Sequence, residues 1–130
     1  MARLRDIVSR WLPPLLWMGV LFAASATPSR DIPSFGVVDF LVKKGGHMLG
    51  YAALGLLLWR ALGWETKRAP LAWLFAVLYA VTDEFHQSFV PGRHPALLDA
   101  LVFDGGGAAL ALWLALKWLK RRRSDRLDPK

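Results

Sequence analysis

The chain reads as apolar blocks divided by short polar stretches. No charged residue occurs from Trp11 to Ser29. A second block runs from Gly45 to about Trp64, broken only by Arg60 near its end. A third starts near Ala69, stays uncharged to Thr82 and then meets Asp83-Glu84-Phe85-His86-Gln87. A fourth runs from about Pro95 to Trp118 and holds Asp99 and Asp104. The first block alone is long enough to cross a hydrocarbon core of ~30 Å at ~1.5 Å per helical residue. Together the blocks predict an all-α, polytopic membrane protein with four transmembrane helices.

The connections support that reading. Around Glu65-Thr66-Lys67 only a few residues separate two blocks, which makes the flanking helices antiparallel neighbours. The first connection, Arg30 to Lys44, is longer. Its Ile32, Phe35, Val38 and Leu41 recur every three residues, as in an amphipathic turn lying along a membrane surface. Pro13 and Pro14 are expected in the first turn of the first span, where a missing N–H costs little. A cleaved signal peptide shares the features of this segment: Arg3, Arg5 and Arg10, an apolar stretch, and the small residues Ala23-Ala24-Ser25-Ala26. The proline pair and Trp17 favour a retained anchor.

Charge then sets the orientation. With both termini in the cytoplasm, that side receives three basic residues at the N-terminus, three around the second connection and seven at the C-terminus. The outer side keeps four: Arg30, Lys43, Lys44 and Arg93. This bias satisfies the positive-inside rule, and Trp11, Trp59, Trp64, Trp73, Trp113 and Trp118 fall in the cytoplasmic half as an interfacial belt would. The net charge of +7 in a chain that is 55% hydrophobic is thereby accounted for by location. The arginine run Arg121-Arg122-Arg123 is a topology signal and an anchor for anionic lipid rather than a nucleic-acid surface. The 130 residues make one domain, with a core over about 10–119 and a basic tail over 120–130. There is no cysteine, so neither a disulfide framework nor a thiolate metal site is possible.

In this orientation the polar residues embedded in apolar surroundings gather at the outer ends of three spans. Lys43, Lys44, His47 and Tyr51 open the second, Asp83, Glu84, His86 and Gln87 close the third, and Asp99 and Asp104 enter the fourth after Arg93 and His94. A charge at mid-bilayer costs on the order of 3 kcal/mol, so such residues face one another rather than lipid. Lys44, His47 and Tyr51 share a helix face, as do Asp83, His86 and Gln87, with Glu84 a sixth to a third of a turn away. Asp99 and Asp104 are splayed by about 140° on a straight helix, so either Asp104 faces a neighbouring helix or the helix is distorted. Gly105-Gly106-Gly107 beside it permits close helix approach. Gly92 after Pro91 reads as a turn that positions Arg93.

Three chemistries suit this cluster. Asp83, Glu84, His86, His47 and Asp99 are candidate catalytic groups, and equally candidate ligands for a divalent metal that the sequence permits but does not require. Arg93 with Lys43 and Lys44 suits a phosphate or carboxylate, with Tyr51, Gln87 and Asp104 lining the same substrate-binding region. The third is a buried ion-pair network that only fixes helix register. A transporter subunit would need a pore, which four short helices supply only as an oligomer.

Two stretches carry a family resemblance. One is Lys44-x-x-His47-x-x-x-Tyr51-x-x-Leu54-Gly55. The other is Thr82-Asp83-Glu84-Phe85-His86-Gln87-x-Phe89-Val90-Pro91-Gly92-Arg93, with Asp99, Asp104 and Gly107 after it. In these the chain resembles the VanZ-like family of bacterial membrane proteins over about residues 10 to 119. Family members often carry an acidic residue where this chain has Gly50, and Asp or Asn at the position of Asp104. The resemblance implies a multi-pass protein of the cytoplasmic membrane and a cell-envelope context. The family takes its name from a protein that confers low-level resistance to the glycopeptide teicoplanin. The resulting expectation is an outward-facing polar site that binds or processes an anionic envelope molecule, such as a lipid-linked cell-wall intermediate or a phospholipid. Arg93 would hold the anion, and His86 with Asp83 would orient or activate a nucleophile. The alternative is a non-catalytic membrane protein whose same residues merely pack.

Overall fold

The computed structural model describes residues 2–27, 37–93 and 96–127. The side chains of 37–41 and of Asp99 lie outside the described part, as do Arg30, Ile32, Phe35 and His94. Four long helices make up the described residues, with no strand among them. Helix α1 covers Ala2–Ser25 and α2 covers Val37–Ala61. After a 3-10 turn at Thr66–Arg68 comes α3, Ala69–Gln87. The fourth helix is composite: a first turn α4, Leu97–Asp99, a π-helical stretch, Ala100–Asp104, and a long body α5, Gly105–Leu127.

Cross-helix pairs fix an up-down-up-down topology. Trp17 Nε1 donates to the Gly50 carbonyl and Arg60 reaches the Ser9 carbonyl, so α1 and α2 run antiparallel. Between them α2 and α3 reverse through Gly63 and Trp64, both at positive φ. Trp64 is held there by its N–H on the Trp59 carbonyl at 3.0 Å and by its ring packed edge-on against Trp59. Pro70 in the first turn of α3 costs nothing in hydrogen bonding.

α2 is the central helix and touches each of the others. Its Tyr51, Leu54, Leu58 and Trp59 are buried, opposite a stripe of buried alanines on α3 at 69, 72, 76 and 80. Small residues let helix backbones approach where packing rather than hydrophobic exclusion must hold them. The tightest approach is α2 to α5. A Cβ at Gly107 would collide with the Met48 carbonyl, and one at Gly55 would lie 3.1 Å from Ala108 Cβ.

Polarity is inverted relative to a water-soluble bundle. Asp83, Glu84, Gln87, Asp104 and Ser25 are buried, while Leu12, Leu15, Leu16, Val20, Leu74, Leu78, Leu110 and Leu114 are exposed. Two helical segments, Arg3–Ser25 and Ala100–Arg126, are long and apolar enough to cross a membrane. Only 11% of the apolar window of the first is buried, the opposite of a soluble core helix. α2 and α3 carry the polar residues of the cluster, which dilutes their apolarity.

Two expectations are corrected. α1 begins at Ala2, so Pro13 and Pro14 lie inside the helix rather than in its first turn. The onset of apolar residues marks where lipid would begin, whereas the helix extends back through its polar first turns. Likewise α2 starts at Val37, placing Val38, Leu41, Lys43 and Lys44 on its first turns instead of in a loop.

The close contact at Gly107 gives a contrast between neighbours. Gly107→Ala should lower the melting temperature in detergent, with overpacking costing about 1–3 kcal/mol. Gly106→Ala, where an added Cβ meets nothing within 4 Å, should be neutral or stabilising. Equal melting shifts would refute the packing assignment.

Candidate functional site

Asp83 is the centre of the polar cluster and is only 2% exposed. Its Oδ2 accepts from Ser25 Oγ at 2.6 Å, from Tyr51 OH at 3.3 Å and from Gln87 Nε2 at 3.3 Å. Gln87 Nε2 also lies 3.4 Å from Ser25 Oγ. One carboxylate oxygen therefore ties α1, α2 and α3 together. The other, Oδ1, is buried and has no hydrogen-bond partner among the described residues. An oxygen left in that state costs about 1–3 kcal/mol, so its retention calls for an explanation beyond packing.

The network continues toward the fourth helix. His47 lies along Tyr51, ring centroids 6.4 Å apart, and its Nδ1 is 3.6 Å from Asp104 Oδ1, an ion pair when the imidazole is protonated. The His47 side chain is 25% exposed against 4% for Asp104, which makes His47 the member a ligand can reach. Tyr79 packs beside Tyr51, and its hydroxyl donates to the Met18 carbonyl at 2.6 Å.

The π-helical stretch places Asp104. The splay of Asp99 and Asp104 on a straight helix implied either a distortion or a turn toward a neighbour; the backbone distorts, and Asp104 is buried against α2. A π stretch forms i→i+5 bonds and shifts the register of the helix beyond it, a feature common at functional sites. Trp73 Nε1 donates to the Gly105 carbonyl at 2.9 Å, supporting the backbone where the winding changes.

The remaining predicted residues take other positions. Arg93 comes after a turn with Gly92 at φ 76°, as the Pro91-Gly92 pair implied. Its guanidinium donates to the Thr27 and Ala24 carbonyls at 3.2 and 3.5 Å, capping the end of α1. Glu84 is rotated off the Asp83 face and accepts the Ala96 N–H at 2.8 Å, bracing the start of α4. His86 stacks on Phe22 at 3.9 Å, and its Nδ1 is buried without a hydrogen-bond partner among the described residues. Lys44 Nζ sits 5.3 Å from the Phe103 ring, a cation–π contact across to the π stretch. Lys43 stands beside it at the start of α2. No three His, Asp or Glu side chains converge as a metal site among the described residues.

The family model described as VanZ/LLP1 matches residues 10–120. The chain belongs to the VanZ/LLP1 family. No curated protein and no solved structure matches it. The match takes in every residue of the Asp83 and His47 network. A Cβ at Gly50 would come within 2.7 Å of Leu21 Cδ2, the movable tip of an α1 side chain.

Ser25, Tyr79 and Trp17 are members that sequence reasoning missed. Ser25 lay in a small-residue run that reads equally as a processing signal, and only the fold reveals that it faces Asp83.

Truncating the centre should be costly. Asp83→Ala leaves three donors without their acceptor and should destabilise the detergent-solubilised protein by about 3 kcal/mol or more. Asp83→Asn, which keeps an acceptor oxygen, should cost less. The ranking is measured by thermal melting, and an Asn variant as damaged as Ala would show that the charge itself holds the bundle.

Proposed function

We propose that this VanZ-family protein spans the cytoplasmic membrane four times with both termini inside. Its outward-facing polar site binds the head group of an anionic envelope lipid, a phospholipid or a lipid-linked cell-wall intermediate. The observation that carries the reading is the half-satisfied Asp83: buried, with three donors on one oxygen and, among the described residues, none on the other. A hydroxyl or ammonium group on the ligand supplies the missing donor. Lys43 and Lys44 on the first turns of α2 supply the cationic side of recognition beside Arg93. If the lipid is processed as well as held, His47 is the acid or base. Asp104 addresses its Nδ1, leaving Nε2 for the ligand. Occupation of such a site on a cell-wall precursor is also the simplest route by which a member of this family would alter glycopeptide susceptibility.

A structural reading has its own support, since Oδ2 is saturated from three helices and would fix their register without any ligand. Bacterial lipid extract incubated with the protein in nanodiscs separates the two. A lipid consumed or selectively retained by wild type, and by neither Asp83→Asn nor His47→Ala, establishes the site. An unchanged extract with no selective retention leaves only the structural network.

Orientation has a separate check. Ser88 is exposed just beyond α3, so a Ser88→Cys variant should react with an impermeant maleimide on intact cells. Labelling only after lysis would invert the topology.

A further inference from the structure

The opposite end of the bundle carries a second site. A groove of about 500 Å³ lies between α5 and the turn joining α2 to α3, lined by Thr66, Trp113, Leu116, Lys117, Leu119, Lys120 and Arg123. Its three cations recur every third residue along one side of α5, and no carboxylate lines it. The nearby Glu65 is held by Arg68 at 2.9 Å, so it does not quench the groove's field. Lys117 Nζ is 4.7 Å from the Trp113 ring, which restrains a side chain that would otherwise be mobile. Leu116 and Leu119 give the groove an apolar floor, and the exposed Leu110, Trp113 and Leu114 continue that surface along the helix toward the bundle's middle.

We propose that this groove binds the phosphate-bearing head group of an anionic phospholipid, with the acyl chains running along the apolar face of α5. Charge and shape favour that occupant together. Cations at the rim match one phosphate, and the apolar floor rewards an attached hydrocarbon chain. A free phosphate would gain only from the former. The groove's cations begin about 19 Å along the helix from Asp104, at ~1.5 Å per residue, so the site is separate from the polar cluster and needs no ligand there. Each basic residue near an anionic surface contributes about a fivefold factor in binding.

The test uses the full chain in a neutral detergent with equal amounts of phosphatidylglycerol and phosphatidylcholine, counting lipids on the intact protein by native mass spectrometry. Wild type should retain one phosphatidylglycerol in clear preference. Lys117→Gln with Lys120→Gln should weaken that preference by about twentyfold. The charge-matched pair Arg3→Gln with Arg5→Gln, on the first turns of α1 and outside the groove, should retain it. All four side chains are exposed, so both variants keep their packing. Equal loss in the two pairs would reduce the effect to diffuse charge and overturn the site. Absence of preference in wild type, or full displacement by excess inorganic phosphate, would overturn the lipid as occupant.

Discussion

A carboxylate among apolar helices persists only if donors are brought to it, and Asp83 receives them from three directions. Ser25 arrives at the end of α1, Tyr51 from the middle of α2, and Gln87 from the next turn of its own helix. These bonds are not interchangeable with hydrophobic packing. In a lipid surround, apolar contacts between helices compete with equally apolar contacts to lipid, so they discriminate poorly between registers. A hydrogen bond between fixed atoms does discriminate: rotating any of the three helices would strand a donor or the acceptor. The register of α1, α2 and α3 thus depends on one buried oxygen, and the alanine stripe of α3 and the glycines of α2 and α5 let the backbones come close enough for it to be reached.

The same interaction bears on the nature of α1. By composition this segment shares the features of a leader, although its proline pair and Trp17 favour a retained anchor. In the fold it provides Ser25 to Asp83, the Met18 carbonyl to Tyr79, and the Ala24 and Thr27 carbonyls to Arg93. It also donates the Trp17 indole to Gly50. Removing it would expose a buried carboxylate and leave hydrogen-bonding groups on the other helices without partners. A helix with that many specific polar contacts is part of the domain, even though most of its surface is apolar and exposed.

Much of the architecture was legible in the sequence because apolar length and charge placement are one-dimensional quantities. The blocks marked the four helices, and i, i+3, i+4 spacing put Asp83 and Gln87 on one face and Glu84 off it. The splay between Asp99 and Asp104 implied that Asp104 faces a neighbouring helix or that the helix is distorted, and the fold has both a π stretch and Asp104 against α2. What was not legible depends on three-dimensional partners. Arg93 looks like an anion ligand, and only the fold shows that its guanidinium also caps the Thr27 and Ala24 carbonyls at the end of α1. Ser25 looks like a small residue until Asp83 is opposite. His86 and Asp83, three apart on one helix, look like a catalytic pair; the imidazole instead lies against Phe22. In each case the residue type was informative about chemistry and uninformative about which neighbour would claim it.

Arg93, Glu84 and His86 contact the end of α1, the start of α4 and Phe22 respectively. The line from Asp83 Oδ1 through Tyr51 to His47, with Asp104 behind the imidazole and Lys44 across the Phe103 ring, runs from fully buried groups to a partly exposed imidazole. That line contains an acceptor, a hydroxyl, an acid–base group and a cation within a few helical turns. The asymmetry between the two ends of the bundle obeys the same logic. Buried carboxylates gather donors at one end, and exposed cations gather around a groove at the other.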